Sequence, residues 1–166
     1  MSGGADKMQP ADLELYLHRH IPLSGAMAVS VLSVDLATIV LRAPLAPNIN
    51  HRETVFGGSA SALAILAAWA LLHVRLRGEG LTSRVVIQRN TMEYVQPVPG
   101  DFTARATLPQ TEDWTRFTRI LARKGKARIA VSAVLEHDAA VVGNFVGEFV
   151  ALGAYDASAY DSSERR

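Results

Sequence analysis

From Ser59 to Val74 the chain carries no Lys, Arg, Asp or Glu, and alanine and leucine dominate. Such a stretch forms a helix, Ser61 to Leu76, because both residue types lose little freedom in helical backbone. Leu63, Leu66, Trp69, Ala70 and His73 share one side of it, with Ile65, Ala68 and Leu72 beside them, so almost no face is polar. A helix of this kind must be enclosed, either by lipid or by the rest of its own chain. The most apolar run, Ala60 to Val74, is shorter than the roughly 20 residues needed to cross a bilayer and soon meets Arg75 and Arg77. No membrane partner is expected, and the remaining sequence has to build a wall around one buried helix.

That wall is written in strands. Met27 to Leu45 is rich in β-branched residues (Val29, Val31, Val34, Thr38, Ile39, Val40) and reads as one long or interrupted strand ended by Pro44 and Pro47. Past the helix stop at Gly78 and Gly80, the period changes to two. Arg84 to Tyr94 and Phe102 to Leu108 read as a hairpin turning at Pro97, Pro99 and Gly100. Trp114 to Arg123 reads as a strand that turns at Lys124-Gly125-Lys126 into Ala127, Ile129, Val131, Ala133 and Leu135, and Gly143 to Leu152 is the last strand. Ahead of all these, Asp12 is placed to cap a short helix with an apolar face at Leu13, Tyr16 and Leu17, halted by Pro22. The economical arrangement is an α+β layer, with a sheet covering one apolar helix.

With 166 residues, the expected organisation is one domain over 11–153, with tails at 1–10 and 154–166. A formal net charge of +1 provides no long-range attraction to nucleic acid or to an anionic membrane, so any charged partner must be met by a local patch. The absence of cysteine removes disulfides, thiolate metal sites and thiol nucleophiles. Together with a Met1–Ala11 segment that lacks a signal-peptide core, it points to the cytoplasm. His18, His20, His73 and His137 do not fall at metal-ligand spacing with carboxylates, and no phosphate loop or Rossmann fingerprint occurs, so neither metal nor cofactor is expected.

Chemistry concentrates in the loop Asn48 to Ser59, where Ser59 is placed as the cap of the following helix. The Gly57-Gly58 pair leaves the first helical amides uncovered at the positive end of the helix dipole. Amides near Gly58 and Ser59 can hold the oxyanion that forms when a carbonyl is attacked. The plainer reading is that the glycines only let the loop turn. Glu53 is the loop's one carboxylate and a candidate general base, or else a solvated partner of Arg52. His51 is placed to position water or substrate, and Asn48 and Asn50 to orient substrate or brace the loop. Phe56, Gly57 and Tyr94 are further candidates for substrate contact, Tyr94 also fitting a packing role. No G-x-S-x-G nucleophile elbow is present.

Pro47-Asn-Ile-Asn-His-Arg-Glu-Thr-Val-Phe-Gly-Gly-Ser59, the apolar helix with Trp69, and Ile87 to Phe102 with Tyr94, Pro97-Val98 and Gly100-Asp101 together resemble the YiiD C-terminal family of thioesterase-like proteins in the hotdog superfamily. The resemblance runs from about Ala26 to Leu152. It implies a hotdog fold, a curved antiparallel sheet wrapped around a long central helix, paired across a dimer, and acting on an acyl thioester of coenzyme A or an acyl carrier protein. One departure matters: many hotdog thioesterases place an Asp or Glu in the first turns of the central helix, whereas this chain has no acid between Ser59 and Arg75. Thioester hydrolysis, a non-catalytic acyl-CoA or acyl-carrier binding module, and a hotdog lyase using His51 and Glu53 therefore all stand as readings. Arg116, Arg119, Arg123, Lys124, Lys126 and Arg128 follow one another without an acid; Arg123 and Lys126 are candidates for carrier phosphates, the alternative being a protected strand edge. Exposed sheet edges and leftover apolar surface lead to the expectation of a homodimer or a dimer of dimers.

Overall fold

A computed structural model describes residues 7–153. The central helix, α3 (Gly57–Gly78), buries Leu63, Ala64, Ala67, Ala68, Ala70, Leu71 and Leu72 completely. Its length and hydropathy alone would suit a membrane crossing, yet most of it is enclosed by protein. The wall is a six-stranded sheet in the order β1-β2-β4-β5-β6-β3. Its strands are β1 (Ser30–Val34), β2 (Thr38–Ala43), β3 (Arg84–Tyr94), β4 (Phe102–Thr107), β5 (Lys126–His137) and β6 (Ala140–Leu152). Every neighbouring pair is antiparallel.

The inner face owes its fit to residue size. Ala104 and Ala106 on β4, and Ala127 and Ala133 on β5, are small enough for α3 to lie close, while Phe102, Phe145 and Phe149 fill the space left around them. Between the last two rings, Gly147 has no room for a side chain: a Cβ there would stand 2.7 Å from Phe145 and 2.8 Å from Phe149. This curved antiparallel sheet around one helix is the hotdog arrangement.

Several sequence expectations need correction. Arg84–Tyr94 and Phe102–Thr107 are both strands, but they are not a hairpin, since β3 pairs with β6 and β4 lies between β2 and β5. Pro97 and Pro99 lack amide hydrogens, and their segment runs across the sheet end, where the Val98 carbonyl accepts from the Val55 amide at 2.9 Å. The second correction is larger, because Trp114–Lys124 is a helix, α4. Asp113 caps it by accepting from the Arg116 amide at 2.9 Å, and Phe117 and Leu121, one turn apart, go into the core. Gly125, read as a turn, is the left-handed residue that ends α4 (φ 68°). The tight turn lies instead at Asp138-Ala139 between β5 and β6, both with positive φ (47° and 62°).

At the start of the described chain, α1 (Pro10–His20) has Gln9 as its cap, with Asp12 completing a capping box from inside the helix. Pro10, placed in the N-terminal tail by the sequence reading, is therefore helical, while residues 1–6 and the tail 154–166 lie outside the described residues. Pro22 both ends α1 and opens a short helix, α2 (Pro22–Ala26). Finally α3 begins at Gly57 with Phe56 as its cap, so Ser59 is its third residue and not a cap. The ladder starts early because the Phe56 carbonyl already accepts from the Ala60 amide at 3.1 Å.

Candidate functional site

The loop before α3 is held from below by Asn48. The residue is 2% exposed; its side-chain Nδ2 donates to the carbonyls of Met27 (2.9 Å) and Pro44 (2.7 Å), and its backbone carbonyl accepts from the Phe56 amide at 2.8 Å. Asn48 thus braces the loop and presents nothing to a substrate. Asn50 does the same one step further along. Its Oδ1 accepts from the amides of Arg52 (2.8 Å) and Thr54 (3.2 Å), and its Nδ2 donates to Thr54 Oγ1 at 3.0 Å. Thr54, which the sequence reading did not single out, is the partner that closes this small ring. A side-chain amide followed by a turn is common, and only the fold shows which hydroxyl answers it.

Stretched over that frame are His51, Arg52 and Glu53, all exposed. Glu53 adopts a left-handed backbone (φ 63°), unusual for a residue with a long side chain. Among the described residues, the side chains of His51 and Glu53 enter no hydrogen bond or ion pair, so neither is committed to a structural role.

The helix start is where the sequence-predicted residues converge. Phe56 has no side chain able to cap, so the first amides of α3 must look elsewhere. Among the described residues the amides of Gly57, Gly58 and Ser59 have no acceptor, whereas the next one, Ala60, is bonded to Phe56. The Phe56 ring lies so close to Gly58 that a Cβ there would stand 2.4 Å from its Cε1. From the far end of β3, Tyr94 reaches across and donates its hydroxyl to the Gly57 carbonyl at 3.0 Å. Phe56 and Tyr94 are 58% and 56% exposed, so two large rings stand beside free backbone donors at the positive end of a 22-residue helix. This arrangement can bind a polarised oxygen attached to an apolar body.

Arg123 and Lys126 are not brought to this place. Lys126 is in register with Leu152 and, through it, with Arg84 at the start of β3, whereas Tyr94 lies ten residues further on, about 33 Å along the strand. With Arg116, Arg119, Lys124 and Arg128 they form an exposed basic surface on α4 and the start of β5. Four of these charges stand on a helix and the other two on β5, an inner strand between β4 and β6, so the strand-edge explanation does not hold for them.

A feature the sequence reading missed is an aromatic stack between α1 and α3. Tyr16 lies 4.6 Å from His73 and 4.3 Å from His20, centroid to centroid, and Trp69 lies 4.9 Å from His73 and donates to the Val85 carbonyl at 3.0 Å. Burial is the main reason why the His73 pKa falls to about 4, with the Arg77 and His20 charges adding to it. The spacing of Trp69 and His73, one turn apart, carried the signal, but the position of α1 did not. Among the described residues, no group of His, Asp and Glu is arranged to hold a metal ion.

The fold has relatives. A protein of unknown function from Chlorobaculum tepidum is 30% identical, with a TM-score of 0.82 over 89% of this chain and 99% of that one. A protein described as a putative thioesterase from Shewanella oneidensis is 26% identical, with a TM-score of 0.77 over 86% of this chain and 96% of that one. At 13% identity a thioesterase from Haemophilus influenzae shares the fold, with a TM-score of 0.72 over 92% and 96% of the two chains. Residues 10–153 match the family described as "Putative thioesterase (yiiD_Cterm)", and this chain, a thioesterase-like hotdog protein, belongs to that family.

Proposed function

We propose that this protein hydrolyses acyl thioesters carried by coenzyme A or by an acyl carrier protein. The observation that carries the reading is the set of unbonded amides at Gly57, Gly58 and Ser59, at the mouth of a long helix and beside two exposed rings. In the proposed reaction the thioester oxygen rests on these amides and the acyl chain lies against Phe56 and Tyr94. Water adds to the carbonyl carbon while Glu53 takes one of its protons, with His51 positioning the water or the substrate. The carbon–sulfur bond then breaks, the thiolate receives the proton from Glu53, and a free thiol leaves together with a carboxylic acid that loses its remaining proton to water.

A second copy of this chain belongs to the proposal. Antiparallel pairing of two β3 edges would set the basic end of each copy near the loop of the other, where carrier phosphates could meet Arg123 and Lys126.

A non-catalytic acyl-thioester binding role is the second reading. It is favoured by the absence of any acid between Ser59 and Arg75 and by the exposure of Glu53 and His51. One experiment separates the two readings: thiol release and ligand binding measured on the same panel of acyl-CoA chain lengths. Hydrolysis predicts thiol release that falls by about 100-fold or more in Glu53→Gln with affinity retained, because the amide keeps the shape but cannot accept the proton. His51→Ala is expected to weaken both turnover and affinity. Binding without thiol release would select the second reading, and hydrolysis untouched by either change would move the chemistry away from this loop.

A further inference from the structure

A groove of about 1110 Å³ lies at the other end of α3, between α1, the β1–β2 turn and the last turn of the central helix. It belongs to no part of the site described above. Three features set its chemistry. Its walls are aliphatic: Leu15 on α1 and Leu36 at the tip of the turn remain 64% and 59% exposed, with Val74 at the wall made by α3. Solvated leucines on two elements lining one concave space form surface that an apolar chain would remove from water.

The second feature is charge. Arg19 and Arg77 line the groove and are exposed, and among the described residues neither has a carboxylate partner. Lys7 adds a third cation. The two acids in the lining are already engaged by backbone, since Asp35 Oδ1 accepts from the amides of Ala37 and Thr38 at 2.7 Å each and Asp12 closes the α1 capping box. The acids keep their charge, but three cations (Lys7, Arg19, Arg77) against two carboxylates (Asp12, Asp35) leave the lining net positive, with two guanidiniums that have no carboxylate of their own among the described residues. The third feature is that the Tyr16 ring at the groove wall is already packed against His20 and His73.

We propose that this groove is a binding site for a long-chain carboxylate, the aliphatic chain lying on Leu15, Leu36 and Val74 and the carboxylate meeting Arg19 and Arg77. A single anionic head on an unbranched apolar body satisfies both halves of the lining, and a guanidinium is well suited to a carboxylate. The proposal does not depend on thioester hydrolysis, since the site needs only the acid itself.

The test is calorimetric titration of the whole protein with dodecanoate, with dodecanol and acetate as the two half-ligands. Saturable dodecanoate binding is expected, weaker by about tenfold or more for dodecanol and for acetate. The double change Arg19→Glu with Arg77→Glu should weaken dodecanoate binding by about tenfold or more while the circular dichroism spectrum stays that of wild type. Leu36→Asp provides an independent check on a turn whose side chain points away from the core. Gly58→Ala, at the opposite end of α3, should leave the dodecanoate binding that depends on Arg19 and Arg77 unchanged. Equal affinity for dodecanoate and dodecanol, wild-type affinity in the arginine variant, or loss of the arginine-dependent binding in Gly58→Ala would each overturn the proposal. Absence of saturable dodecanoate binding, with or without residues 1–6, would overturn it as well.

Discussion

At the residue scale, two side chains have consequences that can be measured separately. Gly58 stands in the second position of α3 with the Phe56 ring against it. Alanine there gains helix propensity of about 0.5–1 kcal/mol, and the atom in its way is the edge of an exposed ring that can swing aside. Gly58→Ala should therefore fold with a Tm within a few degrees of wild type, as followed by thermal circular dichroism. The new methyl and the displaced ring crowd the free amides, so thioester turnover should fall by at least about tenfold. His73 makes the other prediction. Its folded pKa of about 4 lies below the ordinary 6.5, so the unfolded chain takes up the proton first and stability present above pH 6.5 is lost as pH falls from about 6.5 to 4. The loss from this one group is of order 2–3 kcal/mol. His73→Phe keeps a ring beside Tyr16 and Trp69 but has no proton to take, so chemical denaturation at pH 7 and pH 5 should show a smaller difference for the variant than for wild type.

At the element scale, α4 shows how far pattern reading reaches. The central helix and five of the six strands were legible because each has a clear period or composition, from the Ala- and Leu-rich run of α3 to the alternation Phe102, Ala104, Ala106 on β4. Trp114–Lys124 was misread because Lys124-Gly125-Lys126 looks like a hairpin turn, although the same glycine ends a helix equally well. Deciding between them needed the spacing of Phe117 and Leu121 together with Asp113 as a cap. Partner choice in the sheet was hidden for a different reason. Nothing local in Arg84–Tyr94 states that its neighbour is β6, since long-range pairing is set by the whole inner face. The site loop was legible as a candidate from its glycines and asparagines, but the bracing role of Asn48 depends on the carbonyls of Met27 and Pro44, which no motif announces. The corrected α4 gives its own prediction. Arg116, Arg119 and Arg123 on α4 and Lys126 at the start of β5 are all exposed, so reversing charge at Arg123 and Lys126 should weaken carrier binding strongly at low salt and little at high salt, because screening removes most attraction between exposed charges beyond about 10 Å at 0.1 M. Equal affinity for wild type and variant at low salt, measured by titration with acyl-CoA and with an acyl carrier protein, would remove the patch from carrier recognition.

At the scale of the whole molecule, the two edges of the sheet are treated differently. The β1 edge is attended by α1: Glu14 accepts from the Val31 amide at 2.9 Å, and His18 bonds the Val29 carbonyl at 2.8 Å. The β3 edge has no such cover among the described residues, and most of that strand is exposed along its eleven residues. Exposed Ile49, Phe56, Tyr94 and Val95 lie at or beside the end of this edge. A long uncovered strand is a template for another strand, and folds manage such edges by covering or pairing them. We therefore expect two copies to pair along β3, burying backbone donors and part of this apolar surface in one step. In an isolated copy, the β3 amides that point away from β6 face water, while the alternate ones are held by the β3–β6 ladder. Hydrogen exchange should then show fast and slow amides alternating along Arg84–Tyr94. In the pair both sets become slow, and light scattering should give twice the mass of the chain at micromolar concentration. A chain that scatters as a single copy and keeps the alternating pattern would leave the Gly57–Ser59 amides to work without a neighbour, and the basic end of α4 would then lie too far from them to hold a carrier during the same reaction.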